Sequence, residues 1–255
     1  MRELAGAKDL AIRTLPCRVE KVDRPADDVA VIYLKLPAGE RLQFLAGQYI
    51  DILMKDGKRR SFSMANAPHD DQFLQLHVRK TPGGAFSRYV FEEMKERAIL
   101  RFEGPLGTFY LREDSDKPYI FVAGGTGFAP IKAQLEHLFH HGEDRPIVLY
   151  WGARSRRDLY LHDLPMRWQQ EQPNFTYIPV LSDALPEDAW QGRGGLVHQA
   201  VLDDFADLSG YQVYACGAPI MVDSAREAFV RTRGLAEDEF FADSFVYAAE
   251  SEATV

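Results

Sequence analysis

The chain has 255 residues, enough for one large domain or two of ordinary size. Hydrophobic residues make up 46% and charged residues 27%, the balance of a packed globule, and no apolar run approaches the ~20 residues of a membrane span. A formal net charge of −8 argues against nucleic acid as a partner, and no basic-then-apolar start reads as a secretory signal, so a cytoplasmic location is expected.

Residues 1–14 are polar and without period, and read as an N-terminal arm or linker. Over residues 15–112 short strands are expected at 17–22, 29–36, 48–54, 61–65, 73–78 and 99–102. They are separated by turns such as Pro37-Ala38-Gly39, Asp56-Gly57 and Pro82-Gly83-Gly84. Six short strands at this spacing predict an antiparallel barrel, interrupted by one helix over 86–95. Within it, Arg60-Ser61-Phe62-Ser63 places Arg60 and Phe62 on one face by strand alternation. A guanidinium there suits a phosphate, and an aromatic ring suits a planar ligand, although a solvated edge strand reads the same way. Gly83-Gly84-Ala85-Phe86-Ser87 opens the helix and offers backbone N–H groups and a hydroxyl to an anion; a plain capped turn is the alternative.

The polar stretch Glu113-Asp114-Ser115-Asp116-Lys117 is the expected domain boundary, and the texture changes after it. Strands near 119–122, 147–151, 175–180, 212–215 and 240–245 alternate with helices near 130–140, 163–171, 197–204 and 219–232. This predicts a Rossmann-like parallel sheet over 117–255. The first strand ends in Gly124-Gly125-Thr126-Gly127-Phe128-Ala129-Pro130. A strand, a glycine turn and a helix with Pro in its first turn together make an anion site. Its spacing departs from the common G-x-G-x-x-G, because Pro130 stands at the third glycine position. After the second strand, Gly152, Arg154 and Arg157 suit the adenosine side of a dinucleotide or serve as a solubilising turn. Cys216-Gly217-Ala218-Pro219-Ile220-Met221 repeats the strand–turn–helix pattern.

Four of these motifs, Arg60–Ser63, Gly83–Ser87, Gly124–Pro130 and Cys216–Pro219, in this order, resemble those of the ferredoxin–NADP reductase-like superfamily over residues 15–246. Within it, residues 61–66, 100–107 and 241–245 are similar to CDP-6-deoxy-Δ3,4-glucoseen reductases, with oxygenase reductase components and NAD(P)H–flavin reductases as near neighbours. The resemblance implies a Greek-key FAD-binding barrel followed by an NAD(P)-binding domain. Arg60, Ser61, Phe62 and Ser63 would hold the flavin, with Ser63 near its N5; Phe62 stands where the family most often has Tyr. His77, Val78 and Arg79 match a second flavin segment, and Gly83, Gly84, Ala85, Phe86 and Ser87 the helix that takes the FAD pyrophosphate. Gly125, Thr126, Gly127, Gly152, Arg154, Arg157, Cys216, Gly217, Ala218, Pro219 and Met221 would face the nicotinamide nucleotide. Cys216 would stand near the reacting carbon, and Phe245 near the flavin ring. Ser63 and Cys216 would be the catalytic pair.

Many such reductases also carry a plant-type [2Fe–2S] domain, which needs C-x4-C-x2-C and a further Cys. Cys17 and Cys216 alone cannot build it, so no iron–sulfur cluster and no metal are expected in this chain. The reading is an NAD(P)H-dependent FAD reductase that passes electrons to an external acceptor, expected to be a separate ferredoxin-type protein or a small redox acceptor. A free-flavin reductase and a non-enzymatic flavin- or nucleotide-binding regulatory module are the alternatives.

Overall fold

The computed structural model describes residues 10–245. They divide into two compact units: residues 10–111 together with Lys132–His137, and Arg112–Ile131 with residues 138–245.

The first unit is built on six strands: β1 (Arg13–Ala26), β2 (Val29–Lys35), β3 (Tyr49–Leu53), β4 (Arg59–Ser63), β5 (Leu74–Arg79) and β6 (Ile99–Leu106). They form an antiparallel sheet in the order β4-β3-β6-β1-β2-β5. A bridge between Met64 and Leu76 ties its two outer strands together at one point and closes the sheet into a barrel there. Inward residues such as Val19, Ile32, Ile50, Leu76 and Phe102 fill the interior and are fully buried. The expected barrel is therefore present, with β1 and β6 longer than the sequence suggested and the other four strands within two residues of it. Arg13 and Thr14, read as part of an arm, belong to β1 and pair with Gly104 and Glu103. β1 also bulges between Val19 and Lys21 and again between Asp23 and Ala26, which breaks its alternation. β6 runs on through Gly104, where a Cβ would come within 2.7 Å of Ile50 Cγ2. That glycine marks a close approach of β3 and β6 rather than a strand end.

The expected helix over 86–95 is shorter. α1 (Ala85–Arg88) is a single turn and continues as a π turn over Tyr89–Glu93, closed by the Met94 amide donating to the Tyr89 carbonyl at 2.7 Å. Tyr89, Phe91 and Met94 all pack on the barrel core, a spacing the wider turn accommodates.

The second unit carries six parallel strands: β7 (Tyr119–Gly124), β8 (Ile147–Ala153), β9 (Phe175–Leu181), β10 (Arg193–Gly194), β11 (Gln212–Gly217) and β12 (Phe240–Ser244). The helices are α2 (Phe128–His140), α3 (Asp163–Glu171), α4 (Val197–Asp204) and α5 (Pro219–Arg233). Sheet order is β10-β9-β8-β7-β11-β12. The chain thus steps outward from β7 to β10, then returns to the other side of β7 for β11 and β12. The order reverses between β7 and β11, and the carboxyl ends of those two strands flank the crevice where ligands of open α/β sheets bind. β10 was not anticipated; two residues within a glycine-rich turn give no strand signal.

Candidate functional site

In the first unit, the burial pattern of β4 separates Arg60 and Phe62, half-buried on one face, from exposed Arg59 and Ser61 on the other. The Ser61 hydroxyl donates to Asp51 Oδ1 at 2.6 Å, and Arg59 pairs with Glu103, so both side chains are engaged on the opposite face from Arg60. Of Ser61, only the backbone remains for a ligand on the Arg60 face. Arg60 Nη1 donates to the Arg59 carbonyl at 2.8 Å, and Ser63 is buried at the strand's end.

Phe62 and Phe86 meet with ring centroids 5.0 Å apart, which brings β4 against the Gly83–Ser87 turn. β5 leads into the same turn. Val78 belongs to the barrel core, so it can offer a ligand only backbone. His77 is buried, and desolvation followed by the charge of Lys132 holds its pKa well below the usual value. Arg79 Nη1 lies 3.5 Å from Asp28. The segments Arg60–Ser63, His77–Arg79 and Gly83–Ser87 thereby converge.

The turn itself is built from within. Gly83 has φ +73°, a left-handed value that favours glycine. A Cβ on Gly84 would meet Thr81 Oγ1 at 2.3 Å and Ser87 Oγ at 2.6 Å. The Ser87 hydroxyl donates to the Gly84 carbonyl at 3.0 Å and accepts from the Thr81 amide at 3.2 Å. The hydroxyl expected to face an anion is therefore spent on shaping the turn. What remains for an anion is backbone: no side chain caps α1, and open space surrounds Gly83. Uncapped N–H groups, with a guanidinium on the strand that the Phe62–Phe86 contact brings against them, are a donor set that fits a pyrophosphate.

In the second unit, the β7 and β11 ends close on each other through their glycines. A Cβ on Gly127 would stand 2.1 Å from the Cys216 carbonyl oxygen, and one on Gly217 (φ +156°) would stand 3.1 Å from Gly124 Cα. A Cβ on Gly124 would meet Met221 Sδ at 2.6 Å. Trp151 Nε1 donates to the Gly125 carbonyl at 3.0 Å, and Thr126 is buried. Pro219 occupies the first turn of α5, and no side chain caps Gly124 or Ala218. Gly152 answers to packing, since a Cβ there would meet Val197 Cβ at 2.7 Å.

Cys216 is fully buried, and desolvation followed by the charge of Asp243 pushes its thiol well above the usual pKa. In register, Cys216 pairs with Asp243 of β12, and the Phe245 amide donates to the Gly217 carbonyl at 2.9 Å. Burial raises the pKa of the Asp243 carboxyl. At the β8 end, Arg154 lies 3.6 Å from Asp183, while Arg157 is exposed. Asp158 holds this turn by accepting from the Ser155 amide and hydroxyl. Asp183 escaped the sequence reading, and Asp243 entered it only within the 241–245 motif, with no role of its own. The signal for both was position, just past or at the carboxyl ends of β9 and β12.

Residues 16–110 match the oxidoreductase FAD-binding domain family and residues 121–227 the oxidoreductase NAD-binding domain family. The chain belongs to the ferredoxin–NADP reductase-like superfamily. It is 44% identical over 234 residues to the CDP-6-deoxy-L-threo-D-glycero-4-hexulose-3-dehydrase reductase of Yersinia pseudotuberculosis, covering 92% of this chain and 69% of that protein. It is 43% identical over 222 residues to the terephthalate 1,2-dioxygenase reductase component 2 of a Comamonas species, covering 86% and 65%. Among solved structures, the Amycolatopsis cytochrome P450 reductase GcoB superposes with a TM-score of 0.86 at 33% identity, covering 94% of this chain and 72% of that one. The chain is an FAD-dependent NAD(P)H reductase that passes electrons to an external acceptor. FAD supplies the chemistry of this superfamily: it takes a hydride and releases the electrons singly or in pairs. Among the described residues, no helix is long and apolar enough to cross a membrane.

Proposed function

We propose that this reductase binds FAD where Arg60, Phe62, the strand-end Ser63, His77, Arg79 and the Gly83–Ser87 turn converge, takes its hydride from NADH, and hands electrons to a separate ferredoxin-type iron–sulfur protein. The observation that carries the flavin assignment is the Phe62–Phe86 contact, which joins a guanidinium-bearing strand to an uncapped turn. A second anion-binding turn of this kind favours the dinucleotide FAD over FMN. Arg60 and the amides of the turn hold the pyrophosphate, and Ser63, at the strand's end, donates to the ring. Gly125, Thr126, Gly127, Gly217 and Ala218 bind and orient the nicotinamide nucleotide at the β7/β11 crevice, with Cys216 fixing the turn beneath it. The buried, protonated thiol acts by position.

The domains are a barrel over 15–112 and a nucleotide-binding domain over 117–255, and the compartment is the cytoplasm. Both free cysteines are buried, which suits a reducing environment.

The test is direct. Boiling the purified protein should release FAD, and NADH should bleach the bound flavin in stopped flow. Arg60→Ala should weaken flavin retention about tenfold or more, because a hydrogen bond to a charged group contributes ~1.5–3 kcal/mol. Ferricyanide should be reduced quickly, and cytochrome c slowly until a ferredoxin-type protein is added. Release of FMN, or a fully yellow Arg60→Ala variant, overturns the flavin assignment. Fast cytochrome c reduction without a mediator overturns the acceptor.

A further inference from the structure

Lys132 lies on α2 at a position turned away from water, with its side chain only 8% exposed. All three ammonium protons are used within the first unit: Nζ donates to the Ala65 carbonyl at 2.9 Å, to Gln75 Oε1 at 3.0 Å and to Glu136 Oε2 at 2.9 Å. Burial raises the pKa of Glu136, against the pull of Lys132. Desolvating such a pair is costly, and apolar residues of similar volume often stabilise as well or better. Stability alone is therefore a poor account of this lysine.

Its contacts are specific to one corner of the barrel. Ala65 lies two residues beyond Ser63, and Gln75 two residues before His77. The Ala65 amide donates to the Gln75 carbonyl at 2.7 Å, the Gln75 amide to Asn66 Oδ1 at 2.8 Å, and the Met64 amide to the Gln48 carbonyl at 3.0 Å. Met64 also bridges Leu76. One ammonium thus ties the end of the strand carrying Arg60–Ser63 to the start of the strand carrying His77–Arg79. Arg60 stands toward the other end of β4.

Resting on the proposed flavin site, we infer that Lys132 is a positioning residue: it fixes the Ala65 carbonyl so that Ser63 meets the reacting end of the flavin ring, and it leaves the pyrophosphate grip unaffected. The two ends of the site are thereby held by different devices, and they separate on mutation.

The variant is Lys132→Met with Glu136→Leu, which removes both buried charges and keeps the volume apolar, so that no lone ion remains. Glu136→Gln alone, which keeps the Lys132–Ala65 bond, is the control. For the double variant, the FAD dissociation constant should stay within about threefold of wild type. The visible circular dichroism of the bound flavin should change, and the limiting rate of flavin reduction by NADH should fall about tenfold or more with KM for NADH unchanged. Glu136→Gln should match wild type in all four measurements. A folded double variant with wild-type flavin dichroism and reduction rate overturns the inference, as does one whose only defect is a lower melting temperature. A wild-type chain that binds no FAD overturns the proposed site itself; wild type that binds FAD beside an indistinguishable double variant overturns the role of Lys132 alone.

Discussion

The carbonyl oxygen of Cys216 lies 2.1 Å from where a Cβ on Gly127 would stand, and the Gly217 nitrogen only 2.8 Å from it. Both neighbours are backbone, so no side chain can swing away to make room. The third glycine of the β7 turn is therefore required for two strand ends to touch. Gly127→Ala must push the β7 and β11 turns apart, and with them both walls of the nucleotide crevice. The expected outcome is a KM for NADH raised about tenfold or more with FAD content unchanged, read by steady-state kinetics and flavin absorbance. NADH kinetics within twofold of wild type would show that the turns tolerate separation.

Cys216 cannot serve as a nucleophile in this environment. Burial, then the Asp243 charge, holds its thiol protonated through the ordinary working range, and burial pushes Cys17 up to about 12. A thiol whose pKa is raised stays inert until pH climbs well past neutrality. Iodoacetamide at pH 8 should label neither cysteine in the native protein and both after denaturation, as counted by mass spectrometry. Cys216→Ala should slow flavin reduction while leaving the flavin bound. Alkylation of native Cys216 at pH 8 contradicts the burial on which this rests.

Much of the second sheet was legible because its central strands are buried on both faces. Ile120, Phe121, Val122 and Ala123 read as one apolar run and are fully buried. The reversal between β7 and β11 was not legible, because strand order is set by which side each crossover takes, and no local residue reports it. In the barrel, alternation correctly placed Arg60 and Phe62 together, yet it gives no account of what each side chain touches. Ser61 turned out to serve Asp51, and Ser87 its own turn. Arg13 and Thr14 were missed because the outward residues of β1 are polar and charged, which in sequence looks like an arm. Lys132 was passed over since, within an apolar helical period, a lysine reads as solvated.

In the nucleotide site we propose, Arg154 and Arg157 stand on the adenosine side; Asp183 lies 3.6 Å from Arg154, and both members of that pair are largely exposed. A carboxylate beside that cation favours a ribose hydroxyl and repels a phosphate. The ratio of kcat/KM for NADH over NADPH should exceed about tenfold in the wild type. Asp183→Asn should lower that ratio about tenfold, ~1.4 kcal/mol, chiefly by improving NADPH. An unchanged ratio in the variant would place discrimination elsewhere.

Asp243 gives a stability prediction with a definite sign. Burial raises its folded-state pKa above the unfolded value near ~3.9, so the native chain holds this proton more tightly than the unfolded chain does. As pH rises through the interval between those two values, the unfolded state releases its proton first and native stability falls. Above the folded pKa the penalty of an ionised, desolvated carboxylate is fully present; below the unfolded pKa it is absent. Asp243→Asn keeps the shape and removes the charge. It should raise the melting temperature at pH 7 to 8, by roughly 2–4 °C for each kcal/mol relieved, and the gain should shrink as pH falls toward 4. Scanning calorimetry of both proteins across that range provides the check, with buffer ionisation matched between runs. A gain that is constant with pH would mean that the substitution acts through packing. A loss of stability at pH 8 would mean that the carboxylate is stabilised where it stands beside Cys216.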